Sequence, residues 1–215
     1  MTTSRRALNT RTPAGLLLTG MALGAAGALA LVFARLVLPS GPRGPGMIFG
    51  SPRPAPPPTP PPPEVAAAYA ELAQRRLEFP VEGGSSESIA DSFLDGRISH
   101  IHHAIDVMAP RNTPVRAVDE GAIVQLGSSI LGGISIYQAD KQRRYCFFYA
   151  HLQGYAPGLR EGQFVDRGQV IGYVGTTGNA PPGRPHLHFA IYTLDEGHRC
   201  GTGTAINPYP LLRGG

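Results

Sequence analysis

Apolar and polar positions divide the chain into distinct stretches. Residues 14–34 are almost wholly Ala, Leu, Gly, Val and Phe, without a charge. That matches the ~20 residues a helix needs to cross a bilayer and exceeds the roughly 7–15 residues of a signal-peptide core. Residues 39–63 are rich in Pro and Gly and close on a proline run. They lack the apolar content to fold, and their backbone donors are depleted. From Glu64 to Glu78 neither Gly nor Pro occurs, and Val65, Tyr69, Leu72, Arg76 and Leu77 form a partial helical stripe. This predicts a helix over 64–79, ended by Pro80, that packs on a following domain or extends a stalk.

Residues 83–100 are Gly- and Ser-rich, with a short apolar element around Ser92-Phe93-Leu94 and a turn at Asp95-Gly96-Arg97. Beyond residue 101 the apolar bursts shorten. Strands are predicted at Ile105 to Met108, Val115 to Val118, Ala122 to Leu126, Gly133 to Gln138, Tyr145 to Ala150, Val170 to Val174 and Leu187 to Tyr192, punctuated by glycines. Two segments, 113–124 and 162–174, each place a β-run, then an acid and Gly, then a second β-run. They predict two related hairpin units in an antiparallel, barrel-sandwich-like core. The expected fold class is mainly β, with helix content near zero after residue 101.

The organisation read from these stretches is a cytoplasmic N-terminus (1–12), a transmembrane signal anchor (13–38), a Pro-rich linker (39–63), a helix (64–79) and one domain (80–215). Arg5, Arg6 and Arg11 upstream of the apolar stretch favour an inside N-terminus and an outside domain. Ala28-Leu29-Ala30 resembles a signal-peptidase site, so cleavage competes with anchoring; both readings export the domain. The linker, as polyproline II, would reach at most roughly 75 Å and hold the domain off the membrane.

Charge narrows the partners. Residues 1–63 carry six arginines and no acid, whereas the remainder carries 13 basic and 15 acidic residues. The formal +4 therefore belongs to the N-terminal segment. No Lys/Arg-rich run with interleaved aromatics is present, which argues against nucleic acid. Cys146 and Cys200 have no CxxC partner, so a thiolate zinc site is not expected. They can pair in an oxidising compartment, or Cys146 can sit as a small buried hydrophobe; spacing does not choose.

The candidate chemistry lies in the histidines. In Pro185-His186-Leu187-His188-Phe189, alternation on a strand projects His186 and His188 from one face. Upstream stand His102-His103-Ala104-Ile105-Asp106 and Tyr149-Ala150-His151-Leu152. Histidines and a carboxylate in such numbers suit a catalytic zinc site: three N/O ligands, one open position, and spare groups to move protons.

These three blocks, in this order, resemble the LytM or lysostaphin-like zinc metallopeptidases, which cut peptide bonds in bacterial peptidoglycan. Flanking runs support the resemblance: Asp106-Val-Met-Ala-Pro110, Thr113-Pro-Val-Arg-Ala117, Gly168-Gln-Val-Ile-Gly-Tyr-Val-Gly175 and Ile206-Asn-Pro-Tyr-Pro210. It spans roughly residues 79–212. It implies one zinc ion held by His102, Asp106 and His188. It also implies an unliganded pair, His151 and His186, that moves protons and stabilises the oxyanion. On a strand, residues 102 and 106 share a face and 103 does not, so His103 is read as a neighbour. His100 has the right parity but falls where a loop is expected. No HExxH helix supplies a glutamate base. Ala104 stands where the family commonly has glycine. The loop 176–184 is expected to shape a substrate groove, its glycines suiting a small, Gly- or Ala-rich peptide. His198 is read as an exposed loop residue.

The reading is a membrane-anchored, extracytoplasmic zinc endopeptidase acting on peptidoglycan peptides. The alternative is a non-catalytic cell-wall-binding or amidase-activating factor of the same type. A lipoyl- or biotinyl-like carrier, using Lys141, the only lysine, would leave the histidines unexplained.

Overall fold

The computed structural model describes residues 60–97, 101–194 and 199–214. The apolar stretch at 13–38, most of the Pro-rich linker, His100 and His198 lie outside the described residues. Among the described residues, no helix is long and apolar enough to cross a membrane. The chain divides at Ala55/Pro56 into two units, and the described residues all belong to the second.

The first described element is helix α1, Pro63–Arg75. A proline at its first turn suits the missing N–H there, and an Ala-rich interior favours the helix. It buries Ala68 and Leu72. It stops four residues short of the expected end, at a left-handed Arg76. Pro80 does not end it. Arg167 Nη1 takes the free carbonyls of Arg75 and Arg76 at 2.9 and 3.3 Å, satisfying the helix end from another part of the chain.

Ion pairs fasten α1 to the domain. Arg75 Nη1 reaches Asp119 Oδ2 at 3.1 Å and Asp140 Oδ2 at 3.0 Å, and Nη2 reaches Glu71 Oε1 at 2.6 Å. Arg167 pairs with Asp119 at 2.6 Å, Arg144 pairs with Glu71, and the Tyr145 hydroxyl donates to Glu71 at 2.9 Å. The helix therefore packs on the domain and does not extend a stalk.

The nine strands among the described residues are β1 Ile105–Met108, β2 Pro114–Arg116, β3 Gly121–Ser129, β4 Gly133–Asp140, β5 Tyr145–Tyr155, β6 Phe164–Val165, β7 Val170–Val174, β8 His186–Thr193 and β9 Ala205–Ile206. All pair antiparallel along the order β1-β8-β5-β4-β3-β6, with β7 on β5, β2 on β7 and β9 on β8. Every expected strand is present. The two-residue β6 and β9 were too short for any periodicity to show.

Two expectations need correction. The pairing never returns to its start, so the sheet is not a closed barrel. The two similar segments are also not hairpins: β2 pairs with β7 and β3 with β6, so each segment gives its strands to the other. Bonds from Ala117 N to Gln169 O (2.9 Å) and from Ile123 N to Gln163 O (2.8 Å) continue this exchange. Asp119-Glu120-Gly121 bends the chain and Asp166–Gln169 turns it, Gln169 N donating to Asp166 O at 3.1 Å, and in neither segment do the two β-runs pair with each other. Helix content beyond 101 is near zero among the described residues, with one short exception. Helix α2, Pro208–Arg213, is capped by the Asn207 side chain, which accepts from Tyr209 N at 3.0 Å.

Alternation sorts the central strands. The register aligns Ile105, Phe189, Tyr149 and Ile136 in one row across β1, β8, β5 and β4. All four side chains are fully buried in the core. The neighbouring row, Asp106, His188 and Ala150, faces the other way. A one-residue register slip would exchange core and site, so the apolar row also fixes where the histidines point.

Candidate metal centre

Strand β8 lies between β1 and β5, and the site is built across these three. His188 is directly opposite Asp106 on β1. The carboxylate oxygen Asp106 Oδ1 lies 3.1 Å from His102 Nε2 and 3.3 Å from His188 Nδ1, and those nitrogens are 3.0 Å apart. A tetrahedral ion with ~2.0–2.1 Å bonds holds its donors about 3.3 Å apart, so this triangle has the size of one face of such a site.

His102 arrives by a route that strand parity does not describe. It precedes β1, in a loop. Bonds from His102 N to Asp95 O and from His103 N to Phe93 O, both 2.9 Å, hold this loop against residues 93–96. His103 has a left-handed backbone, φ 52°, and its ring turns away to Phe93, 5.4 Å between centroids. A turn, not a shared strand face, carries the His102 ring to Asp106 and His188.

The hydrogen bonds of the rings set their tautomers. His102 Nδ1 is 3.0 Å from Ser92 O, His151 Nδ1 is 2.9 Å from Thr177 O, and His186 Nδ1 is 2.8 Å from Arg184 O. A carbonyl only accepts, so each Nδ1 carries the proton and each neutral ring presents a bare Nε2. At His102 that lone pair points at Asp106 Oδ1 and His188 Nδ1. Asp106 Oδ1 is buried and has no hydrogen-bond partner among the described residues. An unbonded carboxylate oxygen beside two ring nitrogens in a buried place suits a cation between them. Two imidazoles and a carboxylate are donors that zinc accepts, so the residues fit the metal. His102, Asp106 and His188 could hold it.

Arg97 completes the arrangement. Its Nη2 donates to Asp106 Oδ2 at 2.8 Å, leaving Oδ1 as the free ligand atom. The sequence marked Arg97 only as part of a turn. The nine-residue spacing to Asp106 carries no periodicity, and only the folded loop reveals the contact.

His151 stands where β5 exchanges partners. Pairing with β8 ends at Ala150↔His188, and pairing with β7 begins at Leu152↔Val174. Between them His151 adopts φ 60°, its N–H donating to Gly132 O at 2.8 Å. This turns the ring toward His186 and His188, with centroids 4.9 and 5.6 Å away. His186 Nε2 is 3.9 Å from Asp106 Oδ1, outside the tight triangle. Thus the five residues singled out in the sequence come together, three in close contact and two beside them.

Electrostatics reflect this crowding. Burial raises the Asp106 pKa, but the close His102 and His188 rings outweigh it and hold the carboxyl far below the usual range. Burial first, then the neighbouring His188, lower the His151 pKa to about 4, against the Thr177 carbonyl. Burial likewise lowers that of His188, with Asp106 opposing.

The site opens into a cleft of about 960 Å³. Tyr137 and Phe148, rings 4.5 Å apart, line it with Leu131 and Met108; Asn179, Pro181 and Arg184 of the 176–184 loop also line it. The loop does shape the groove, but not through its glycines. Gly178, at φ 72°, would place a Cβ 2.3 Å from Gly133 N, so its role is close backbone packing. Thr177 locks that contact: its hydroxyl donates to Leu152 O at 2.8 Å and accepts from Ile134 N at 2.9 Å.

Comparison with known proteins agrees with this geometry. The model for peptidase family M23 matches residues 100–208. The chain belongs to peptidase family M23. This M23 chain is 35% identical to the L-Ala–D-Glu endopeptidase of Bacillus subtilis over 154 residues, 68% of this chain and 46% of that protein. It is 34% identical to lysostaphin of Staphylococcus simulans over 116 residues, 53% of this chain and 22% of that protein. It thus spans less than half the length of these relatives. Among solved structures, lysostaphin from Staphylococcus simulans aligns over 59% of this chain and 49% of its own, at 29% identity and a TM-score of 0.51. The lytM protein of Ruminococcus gnavus aligns over 69% and 65%, at 28% identity and a TM-score of 0.55. The M23 match begins at residue 100, so α1 and Arg97 lie outside it.

Proposed function

We propose that this M23 chain is a zinc-dependent endopeptidase that hydrolyses peptide bonds of bacterial peptidoglycan. The observation that carries the reading is the buried, unbonded Asp106 Oδ1 within 3.3 Å of the His102 and His188 nitrogens. In this reading His102 Nε2, Asp106 Oδ1 and His188 Nδ1 are the zinc ligands. The metal, when bound, supplies a Lewis acid that polarises the scissile carbonyl and acidifies water. His151, neutral at neutral pH, accepts the proton of the attacking water at Nε2 and returns it to the leaving amine. His186, when protonated at both nitrogens, donates from Nε2 to the developing oxyanion. Arg97 holds Asp106 in one orientation, and the Thr177 and Arg184 carbonyls fix the catalytic rings.

The same proposal places the domain outside the cytoplasmic membrane, held by a signal anchor at 13–38 and a Pro-rich linker. A Cys146–Cys200 disulfide supports export, because such bonds persist in oxidising compartments. The substrate assignment is supported by the names of the Bacillus and Staphylococcus relatives.

Zinc content and hydrolysis of purified muropeptides test the reading on the purified chain. About one zinc per chain is expected in the parent, and little in His102→Ala or Asp106→Ala. His151→Ala should keep zinc and lose at least ~10²-fold in kcat. Hydrolysis retained in all three variants would sink the proposal. A folded parent that binds no zinc would shift the reading to a non-catalytic cell-wall factor.

A further inference from the structure

Strict alternation along β5 would aim His151 into the core. Tyr149 is buried there and Ala150 takes the other side, so residue 151 should return to the side of Tyr149. A bulge prevents this. Ile136 faces Tyr149 and Ile134 faces Leu152, so Ser135 alone stands across from both Ala150 and His151. The extra residue, with its left-handed backbone, lets the His151 ring join His186 and His188, and Leu152 re-enters the core. A left-handed backbone at a residue other than Gly carries strain and persists only where its surroundings hold it.

One side chain is placed to hold the bulge. Thr177 Oγ1 donates to Leu152 O at 2.8 Å and accepts from Ile134 N at 2.9 Å. Those two residues are the pair that closes the bulge across β4 and β5. The carbonyl of the same threonine takes His151 Nδ1 at 2.9 Å. Thr177 thus grips the strand beside His151 with its hydroxyl and the ring with its backbone. The turn before β4 is shaped around that hydroxyl: a Cβ on Gly133, at φ 60°, would lie 2.2 Å from Thr177 Oγ1. Thr177 is not among the described residues that line the cleft, so its hydroxyl acts from behind the ring. We propose that Thr177 is a positioning residue, its hydroxyl bridging the two strands at the bulge so that the His151 ring is held on the metal side of the sheet. The kinetic consequence rests on the peptidase reading, in which that ring carries the proton.

The test follows muropeptide hydrolysis, zinc content and amide exchange on the full chain. Thr177→Val keeps the shape of the side chain and removes the hydroxyl. It should lower kcat about 10- to 100-fold, with KM within about twofold and about one zinc per chain retained. Thr177→Ser restores the hydroxyl and should stay within about threefold of the parent. In a His151→Ala background, Thr177→Val should cost nothing further, because the hydroxyl acts only through that ring. Hydrogen exchange read by mass spectrometry on the zinc-stripped chain is independent of catalysis. Peptides holding Ile134 and His151 should exchange about tenfold faster in Thr177→Val, and those of β8 should not change. Unchanged kcat in Thr177→Val, no recovery in Thr177→Ser, or an equal loss in the His151→Ala background would overturn the inference. So would unchanged exchange at His151, or exchange raised in β8 as well, which marks a general loosening. A parent that hydrolyses no muropeptide would overturn the peptidase reading, and faster exchange confined to Ile134 and His151 would then leave the role of Thr177 standing.

Discussion

Asp106 is held at Oδ2 by Arg97 while Oδ1 stays unbonded, and this makes Arg97 the residue whose replacement is most informative. The Arg97–Asp106 contact at 2.8 Å stops the carboxylate from rotating and leaves Oδ1 facing the two nitrogens. Removing a partner behind a metal ligand typically costs about 10–100-fold in metal affinity. Arg97→Gln should therefore weaken zinc binding by that order in a competition titration with a chelating dye, while the fold is kept. Unchanged affinity would show that the β1 backbone alone orients Asp106. His151 offers a test in the metal-free protein. Its pKa is lowered from 6.5 to about 4, so between those values the unfolded chain binds the proton and the folded chain does not. Its stabilising share is complete above about 6.5 and is lost as pH falls toward 4. Thermal midpoints of the zinc-stripped parent should fall across that window more steeply than those of His151→Gln. Parallel curves would count against this assignment.

Among the elements, α1 lies before the M23 match, and the structure ties it to the domain. Asp119 and Asp140 have side chains only 4% and 0% exposed, and Arg75 meets both. Breaking a buried pair by removing one member leaves an uncompensated charge and costs roughly 3–5 kcal/mol. Arg75→Ala should lose stability of that order in urea denaturation, and a chain starting at residue 77 should lose at least as much. A midpoint unmoved by either change would show that α1 is a passenger. The periodicity at 64–78 made the helix legible, but not its attachment. The partners of Arg75 stand 44 and 65 residues away, and a helical stripe says nothing about which distant acid it will meet.

At the scale of the molecule, one covalent link closes 54 residues of chain between β5 and the segment before β9. Chain-entropy arguments assign such a loop about 4 kcal/mol at most. Cys200→Ser, and reduction of the parent, should both lower the thermal midpoint; identical midpoints would mean that the pair contributes nothing to the fold. Much of the molecule could be read without coordinates, because local rules govern it. Alternation of period two marked β1, β7 and β8, separated the apolar row from Asp106, His186 and His188, and made the antiparallel, mainly β class legible. Block order made the family legible and singled out His102, Asp106 and His188, which could hold a metal. Everything that depends on contacts distant in sequence had to wait for the fold. His102 enters from a loop, His151 is aimed by a left-handed residue at a change of strand partner, and the similar segments trade strands. Arg97 meets Asp106 only once that loop has closed. Periodicity reports which face a residue takes within its own element. Which element lies across from it is set by long-range pairing and packing, and these exist only in the folded chain.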